Sequence, residues 1–277
     1  MSKTHYILGL SGGKDSAALA IYVRERFPDV HYFFCDTGAE LPETYEFLTK
    51  LEAYFGKPIH RLGTGRDFDH WLDVYRGSLP SSQMRWCTRK MKIEPLERWI
   101  QDTFGDDQVV SLVAIRADEP YREGYSSTRT NIHVEYPFRD DGVDKSGVMR
   151  ILNDAGVGLP AYYEWRTRSG CYFCFYQRKA EWVGLAERHP ELFERAVAYE
   201  EKSNKNHAGY GMTGRQFTWS QNETLRELVE RKSEILEKHE KAVERANTKR
   251  RNVPLIEVLG EALNEDDDLE ACQICSL

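Results

Sequence analysis

Apolar and polar positions alternate in blocks along the first 115 residues. Tyr6-Ile7-Leu8-Gly9-Leu10 is a short apolar run that ends in a glycine-rich turn. From Asp15 the spacing turns helical, with Ala18, Leu19, Ile21, Tyr22 and Val23 on one face and Pro28 marking the end. Val30–Cys35 is a second, aromatic and β-branched run, closed by Asp36-Thr37-Gly38. Pro42 can open a helix, the apolar positions Tyr45 to Phe55 continue it, and Gly56 stops it. A short strand is expected at Pro58–Leu62, helices at Asp67–Tyr75 and Ile93–Phe104, and a buried strand at Val109–Ile115. Strand–helix alternation at these lengths predicts right-handed crossovers and a parallel twisted sheet with helices on both faces.

Ligands of such sheets bind beyond the carboxyl ends of the strands. Three strand ends carry polar, glycine-rich or charged residues: Ser11–Ser16, Asp36–Gly38 and Ile115–Glu119. After Pro137 the character changes. Helices are expected at Ser146–Ala155 and Trp182–Tyr199, with a long amphipathic one at Asn222–Asn247; Ser203–Gly214 reads as a loop. The expected organisation is an α/β nucleotide-binding domain at 1–140, a cysteine-motif and helical region at 141–263, and an acidic, cysteine-bearing tail at 264–277.

Composition sharpens this picture. The chain has 277 residues, 40% hydrophobic and 30% charged, which suits a globular enzyme. No apolar run reaches the ~20 residues that span a bilayer, and no secretory pattern opens the sequence, so the expectation is a cytoplasmic protein without a membrane partner. The formal net charge of −7 argues against global electrostatic binding of nucleic acid. It leaves room for local basic clusters at Arg85, Arg89, Lys90 and Lys92 and at Arg245, Lys249, Arg250 and Arg251, either of which also reads as a solvated face.

The loop Ser11-Gly12-Gly13-Lys14-Asp15-Ser16 has a clear physical use. Two glycines let the backbone turn tightly against an anion. The helix end then aims free N–H groups and its positive dipole at a phosphate. Ser11 and Ser16 add hydroxyls and Lys14 a charge. Asp15 would organise either a Mg²⁺ ion or the loop itself, and the first is the expectation. The sequence is not the Walker pattern, so γ-phosphate chemistry is not implied.

Ser11–Ser16 resembles the loop of the N-type ATP pyrophosphatases (the PP-loop superfamily, with an adenine nucleotide alpha-hydrolase-like fold). The resemblance implies ATP bound through Ser11 to Ser16, with Asp36, Thr37 and Gly38 at the adenine and ribose edge, and release of pyrophosphate after an acceptor is adenylated. More of the chain, from about residue 6 to about 195, is similar to the phosphoadenosine-phosphosulfate (PAPS) reductase branch: Asp36-Thr37-Gly38 with Pro42-Glu43-Thr44, Arg85-Trp86-Cys87-Thr88 with Lys92-Ile93-Glu94-Pro95, Ile115–Glu119 with Arg122, and Ser169–Cys174. The Arg-Trp-Cys-Thr wording most resembles the ATP pyrophosphatases of bacterial DNA phosphorothioation, an antiviral defence chemistry. That implies sulfur transfer, with Lys14 and Asp15 at the departing pyrophosphate and Arg116 and Arg122 on the acceptor phosphate. It also implies a cysteine desulfurase or other sulfur donor, and a DNA or nucleotide acceptor reached directly or through other subunits.

Iron–sulfur members of the branch use an adjacent Cys-Cys pair plus a C-x-x-C. Here Cys87 is flanked by Trp86 and Thr88, leaving Cys87, Cys171 and Cys174 as candidate ligands of a [4Fe–4S] cluster. A Zn²⁺ site and plain buried thiols are the alternatives. Cys35 reads as a buried apolar residue, and Cys272 and Cys275 as a mobile redox pair or incidental thiols. Two competing functions stay open: a sulfonucleotide (PAPS or APS) reductase using thioredoxin, and a nucleotide-sensing subunit without turnover.

Overall fold

The computed structural model describes residues 3–122, 124, 127, 129–209, 217–220 and 223–247. The tail cysteines Cys272 and Cys275, the basic residues Lys249, Arg250 and Arg251, and residues 210–214 of the expected Ser203–Gly214 loop lie outside them. The elements in chain order are β1 (Thr4–Gly9), α1 (Lys14–Val23), β2 (His31–Cys35), α2 (Pro42–Phe55), β3 (Ile59–Leu62) and α3 (Phe68–Val74). Then come α4 (Glu94–Phe104), β4 (Gln108–Leu112), β5 (Ile132–Glu135), α5 (Pro137–Asp140), α6 (Lys145–Asp154), α7 (Lys179–Arg188), α8 (Pro190–Gly209), α9 (Leu225–Glu230) and α10 (Lys232–Asn247). The chain divides into two compact units, one of residues 3–71 with 85–171 and one of residues 72–84 with 172–247.

The first unit is built on a five-stranded, all-parallel sheet in the order β3-β2-β1-β4-β5. Successive side chains of a strand point to opposite faces, and the burial follows that period. Leu8, Tyr32, Phe34, Val110 and Leu112 share one core with Leu19 and Val23 of α1, Phe47, Leu48 and Leu51 of α2, and Val148 and Leu152 of α6. Ile7, Phe33, Cys35 and Val109 share the other with Leu96, Ile100 and Phe104 of α4. Helices therefore cover both faces, as the doubly apolar strands require. Trp99 packs against this second core, beside Phe33 at 5.6 Å.

Chain order runs outward from β1 to β3, then returns to place β4 on the other side of β1. The β1–β4 pair is thus a topological switch point, where strand-end loops diverge and leave a crevice. Gly56 ends α2 in the left-handed conformation (φ 61°), its N–H returning to the Glu52 carbonyl. Before α4 the turn widens to π geometry over Arg89–Ile93, where Pro95 has no N–H to return.

In the second unit Trp182, Val183, Leu185, Phe193, Val197, Trp219, Leu225 and Leu228 are buried. Phe173 stacks on Trp219 with 5.4 Å between ring centroids. The buried Glu200 carboxylate accepts the N–H groups of Trp219 and Leu225, both at 2.9 Å. Three sequence expectations are corrected here. The helix expected over Trp182–Tyr199 is two helices, because Pro190 cannot continue α7 and instead opens α8. The expected loop from Ser203 is helical as far as Gly209, with Ser203 and His207 on its buried side. The long helix expected from Asn222 is broken at Arg231.

A row of histidines crosses β1, β2 and β3: His5–His31 and His31–His60 centroids are 6.2 and 6.3 Å apart. Burial, then the charges of His5, His60, Lys57 and Lys3, hold the His31 pKa below its ordinary 6.5. The unfolded chain therefore binds more protons than the fold in the window just below pH 6.5. Stability should be full above that pH and fall as pH drops toward the folded pKa. Urea midpoints measured from pH 7.5 to 5 should decline, and His31→Phe should flatten that decline; an equal slope in both proteins would contradict the assignment.

Candidate functional site: a diglycine loop at the switch point

The loop leaves β1 at the centre of the sheet and enters α1. Gly12 has φ +75°, and a Cβ there would lie 2.5 Å from Thr44 Cγ2, so both conformation and space demand glycine. Gly13 is the N-cap of α1. Ser16 Oγ donates to the Gly13 carbonyl and accepts the Ser11 N–H, both at 3.2 Å, which closes the loop on itself. The amides of Gly12, Gly13, Asp15 and Ser16 have no acceptor among the described residues. A helix start leaves such donors unsatisfied, and they form an anion site.

A charged set lies beside them. Lys14 Nζ is 2.6 Å from Asp15 Oδ2, and Arg116 Nη1 is 3.0 Å from Asp15 Oδ1. Arg116 also reaches Asp118 (Nε–Oδ1 2.8 Å) and Glu119 (Nη2–Oε1 3.5 Å), and Arg122 reaches Glu119 at 3.0 Å. Burial works against the Arg116 charge, but Asp118 and Asp15 outweigh it and raise its pKa. Both Asp15 oxygens are thus taken by cations. Asp15 thereby ties Lys14 and Arg116 together across the loop. The fork of Arg116, expected with Arg122 on an acceptor phosphate, is spread here across protein carboxylates.

The second strand end is equally ordered. Asp36 Oδ1 accepts the Gly38 N–H at 2.9 Å and the Tyr45 hydroxyl at 2.8 Å. Thr37 Oγ1 donates to Glu40 Oε1 at 2.8 Å and lies 3.2 Å from Cys171 Sγ. Glu40 is buried, and that burial raises its pKa against the opposing effects of Lys92 and Thr37. Cys35 is buried as expected, its thiol pushed up to about 12 by desolvation.

Cys87, in the short turn Trp86–Thr88, and Cys171 belong to the first unit, and Cys174 to the second. Among the described residues no group of three or more His, Cys, Asp or Glu side chains is arranged to hold a metal ion. Cys171 instead turns its sulfur to Thr37 and Glu40. No chemical step is routed through a cluster or a Zn²⁺ ion.

Sequence reasoning missed the other wall of the site. Tyr162 donates to the Gly12 carbonyl at 2.7 Å, Ser169 Oγ to Ser11 Oγ at 3.2 Å, and Tyr163 accepts the Lys14 N–H at 3.1 Å. These residues lie about 150 positions from the loop; Ser169 opens the Ser169–Cys174 motif, but nothing local to any of the three marks its contact with the loop.

Residues 5–136 match the phosphoadenosine phosphosulfate reductase domain. The matched stretch carries the diglycine loop, Asp36–Gly38 and the Arg116 cluster. An uncharacterized protein of Methanocaldococcus jannaschii is 27% identical over 220 residues, 76% of this chain and 44% of that protein. The adenosine 5'-phosphosulfate reductase of Allochromatium vinosum is 30% identical over 125 residues, 40% of this chain and 46% of that one. The chain thus spans less than half the length of each of these two relatives. The crystal structure of PAPS reductase from Candida auris in a phosphate complex resembles it with a TM-score of 0.47 and 17% identity, over 60% of this chain and 81% of that one. No described helix is long and apolar enough to cross a membrane.

Removing the Arg116 guanidinium would strip a partner from three carboxylates, those of Asp15 and Glu119 being partly buried. Arg116→Ala should cost about 2–4 kcal/mol of stability by urea unfolding. Arg116→Lys should recover only part of it, because a point charge cannot span Asp15 and Asp118. An unchanged midpoint for Arg116→Ala would show the cluster to be energetically idle.

Proposed function

We propose that this protein is an enzyme that binds ATP through the diglycine loop and cleaves it between the α- and β-phosphates to activate an acceptor for sulfur transfer. The observation that carries this reading is the set of unpaired amides at Gly12, Gly13, Asp15 and Ser16, at the start of a helix and the end of a central strand. Such donors suit the oxygens of a diphosphate, and Lys14 sits beside them to offset charge on the leaving group.

In this reading an acceptor oxygen attacks the α-phosphorus. The bond to the bridging oxygen breaks, pyrophosphate departs into the loop, and AMP stays on the acceptor. A sulfide-level sulfur nucleophile, which a cysteine desulfurase persulfide yields on reduction by a thiol, then attacks the acceptor phosphorus and displaces AMP. The gain is in the leaving group, since AMP departs far more readily than an oxide. DNA backbone phosphate is the acceptor we favour, on the likeness of the Arg85–Thr88 and Lys92–Pro95 segments to the phosphorothioation ATP pyrophosphatases. The net charge of −7 makes delivery of that acceptor by another subunit more reasonable than direct capture.

A second reading is favoured by the match of residues 5–136: reduction of PAPS or adenosine phosphosulfate, with a thiol attacking sulfur and thioredoxin supplying electrons. The same loop would then hold the nucleotide's phosphate. The two readings separate in one assay. Incubation with ATP, acceptor and sulfide should release pyrophosphate and AMP, and Lys14→Ala should lower that rate by about 100-fold or more, as loss of a leaving-group contact does. Sulfite release from PAPS without pyrophosphate release from ATP would replace the first reading with the second.

A further inference from the structure

One amide of the loop is already engaged. The Lys14 N–H, first of the helix, donates to the Tyr163 hydroxyl at 3.1 Å, and Lys14 Nζ lies 5.7 Å from the centroid of the same ring. Tyr163 stands in the short 3-10 turn Ala161–Glu164. Its neighbour Tyr162 is fully buried on the Gly12 carbonyl, and Ser169 reaches Ser11. One segment thus grips three positions of the loop. Burial raises the Tyr163 pKa, so its hydroxyl is neutral at physiological pH.

A neutral phenol oxygen is a weak acceptor for a helix-start amide. A phosphate oxygen carries charge, forms hydrogen bonds roughly twice as strong, and gains from the helix dipole. The Lys14 amide adjoins the unpaired amides of Asp15 and Ser16, so a diphosphate seated on those would compete for it directly.

We propose that Tyr163 is a latch: its hydroxyl occupies the Lys14 amide until the diphosphate of the nucleotide displaces it. The proposal rests on the diphosphate reading of the loop and adds a consequence. The latch segment continues to Arg166, whose side chain is buried and donates to the carbonyls of Gly170 (3.0 Å) and Cys171 (2.8 Å). Cys171 in turn has its sulfur on Thr37. Releasing Tyr163 therefore loosens a strap whose far end fixes Cys171, so that nucleotide binding unlocks a thiol beside the second strand end.

The test is calorimetric titration of inorganic pyrophosphate into the wild-type protein and into Tyr163→Phe, which keeps the ring and deletes the competing oxygen. The latch predicts binding about 2- to 10-fold tighter in the variant, the range of one neutral hydrogen bond. Equal or weaker binding in Tyr163→Phe overturns the latch while leaving the loop reading intact. Absence of pyrophosphate binding in both proteins overturns the loop reading itself. Hydrogen exchange in the wild-type protein is the second measurement and does not depend on the variant folding. Amides of residues 161–171 should exchange faster on adding pyrophosphate; unchanged or slower exchange contradicts the latch.

Discussion

The account depends on backbone N–H groups that the protein does not satisfy itself. A helix start leaves donors over, and most helices pair them with a capping side chain. Here the N-cap is Gly13, which has no side chain to offer. The chain holds this arrangement open at some cost, and several contacts keep it in place. Thr44 presses on the space where Gly12 would carry a Cβ, Ser16 ties the loop's two ends, and Tyr162 fixes the Gly12 carbonyl. β1 supplies the rigid base, paired on both edges in the middle of the sheet and buried on both faces.

The charges around the loop neutralise one another. Lys14, Arg116 and Arg122 meet Asp15, Asp118 and Glu119, cation for carboxylate. Attraction for an anion therefore comes from oriented amides and the helix end more than from surplus positive charge. With a net charge of −7 on the whole chain, long-range steering of a polyanion is not expected either. The arrangement suits a small ligand that enters the switch-point crevice and makes short-range contacts. Arg116 has a structural part in it, joining the end of β4 to the loop after β1.

Features set by neighbouring residues were readable from the chain. The alternation of strands and helices through residue 112, the glycine stop of α2, the loop and the burial of Cys35 all follow from local chemistry. β5 escaped because Ile132-His133-Val134-Glu135 has only two apolar residues, as suits a strand at the sheet edge. Pro190 should have split the Trp182–Tyr199 helix, but the apolar spacing on either side stays in phase across it. Ser203–Gly209 looked like a loop because its polar residues suggest solvent, whereas Ser203 and His207 are bonded to each other in the interior. In the site, the contacts of Tyr163 and Ser169 with the loop and the burial of Glu40 were out of reach. Tyr163 and Ser169 are brought to the loop by tertiary structure, and Glu40 is one carboxylate among many until its enclosure is seen. The cysteine motifs were legible as motifs, but spacing alone could not foretell that Cys171 would face Thr37 and Glu40.

The central claim is that these unpaired amides hold the diphosphate of a nucleotide. Crystals grown with an ATP analogue carrying a methylene bridge between the α- and β-phosphates test it most directly, because that bond cannot be cleaved in the proposed way. The account predicts phosphate oxygens within hydrogen-bonding distance of the amides of residues 12–16, with the adenine toward Asp36–Gly38. A nucleotide bound elsewhere, with the loop making no phosphate contact, would contradict it.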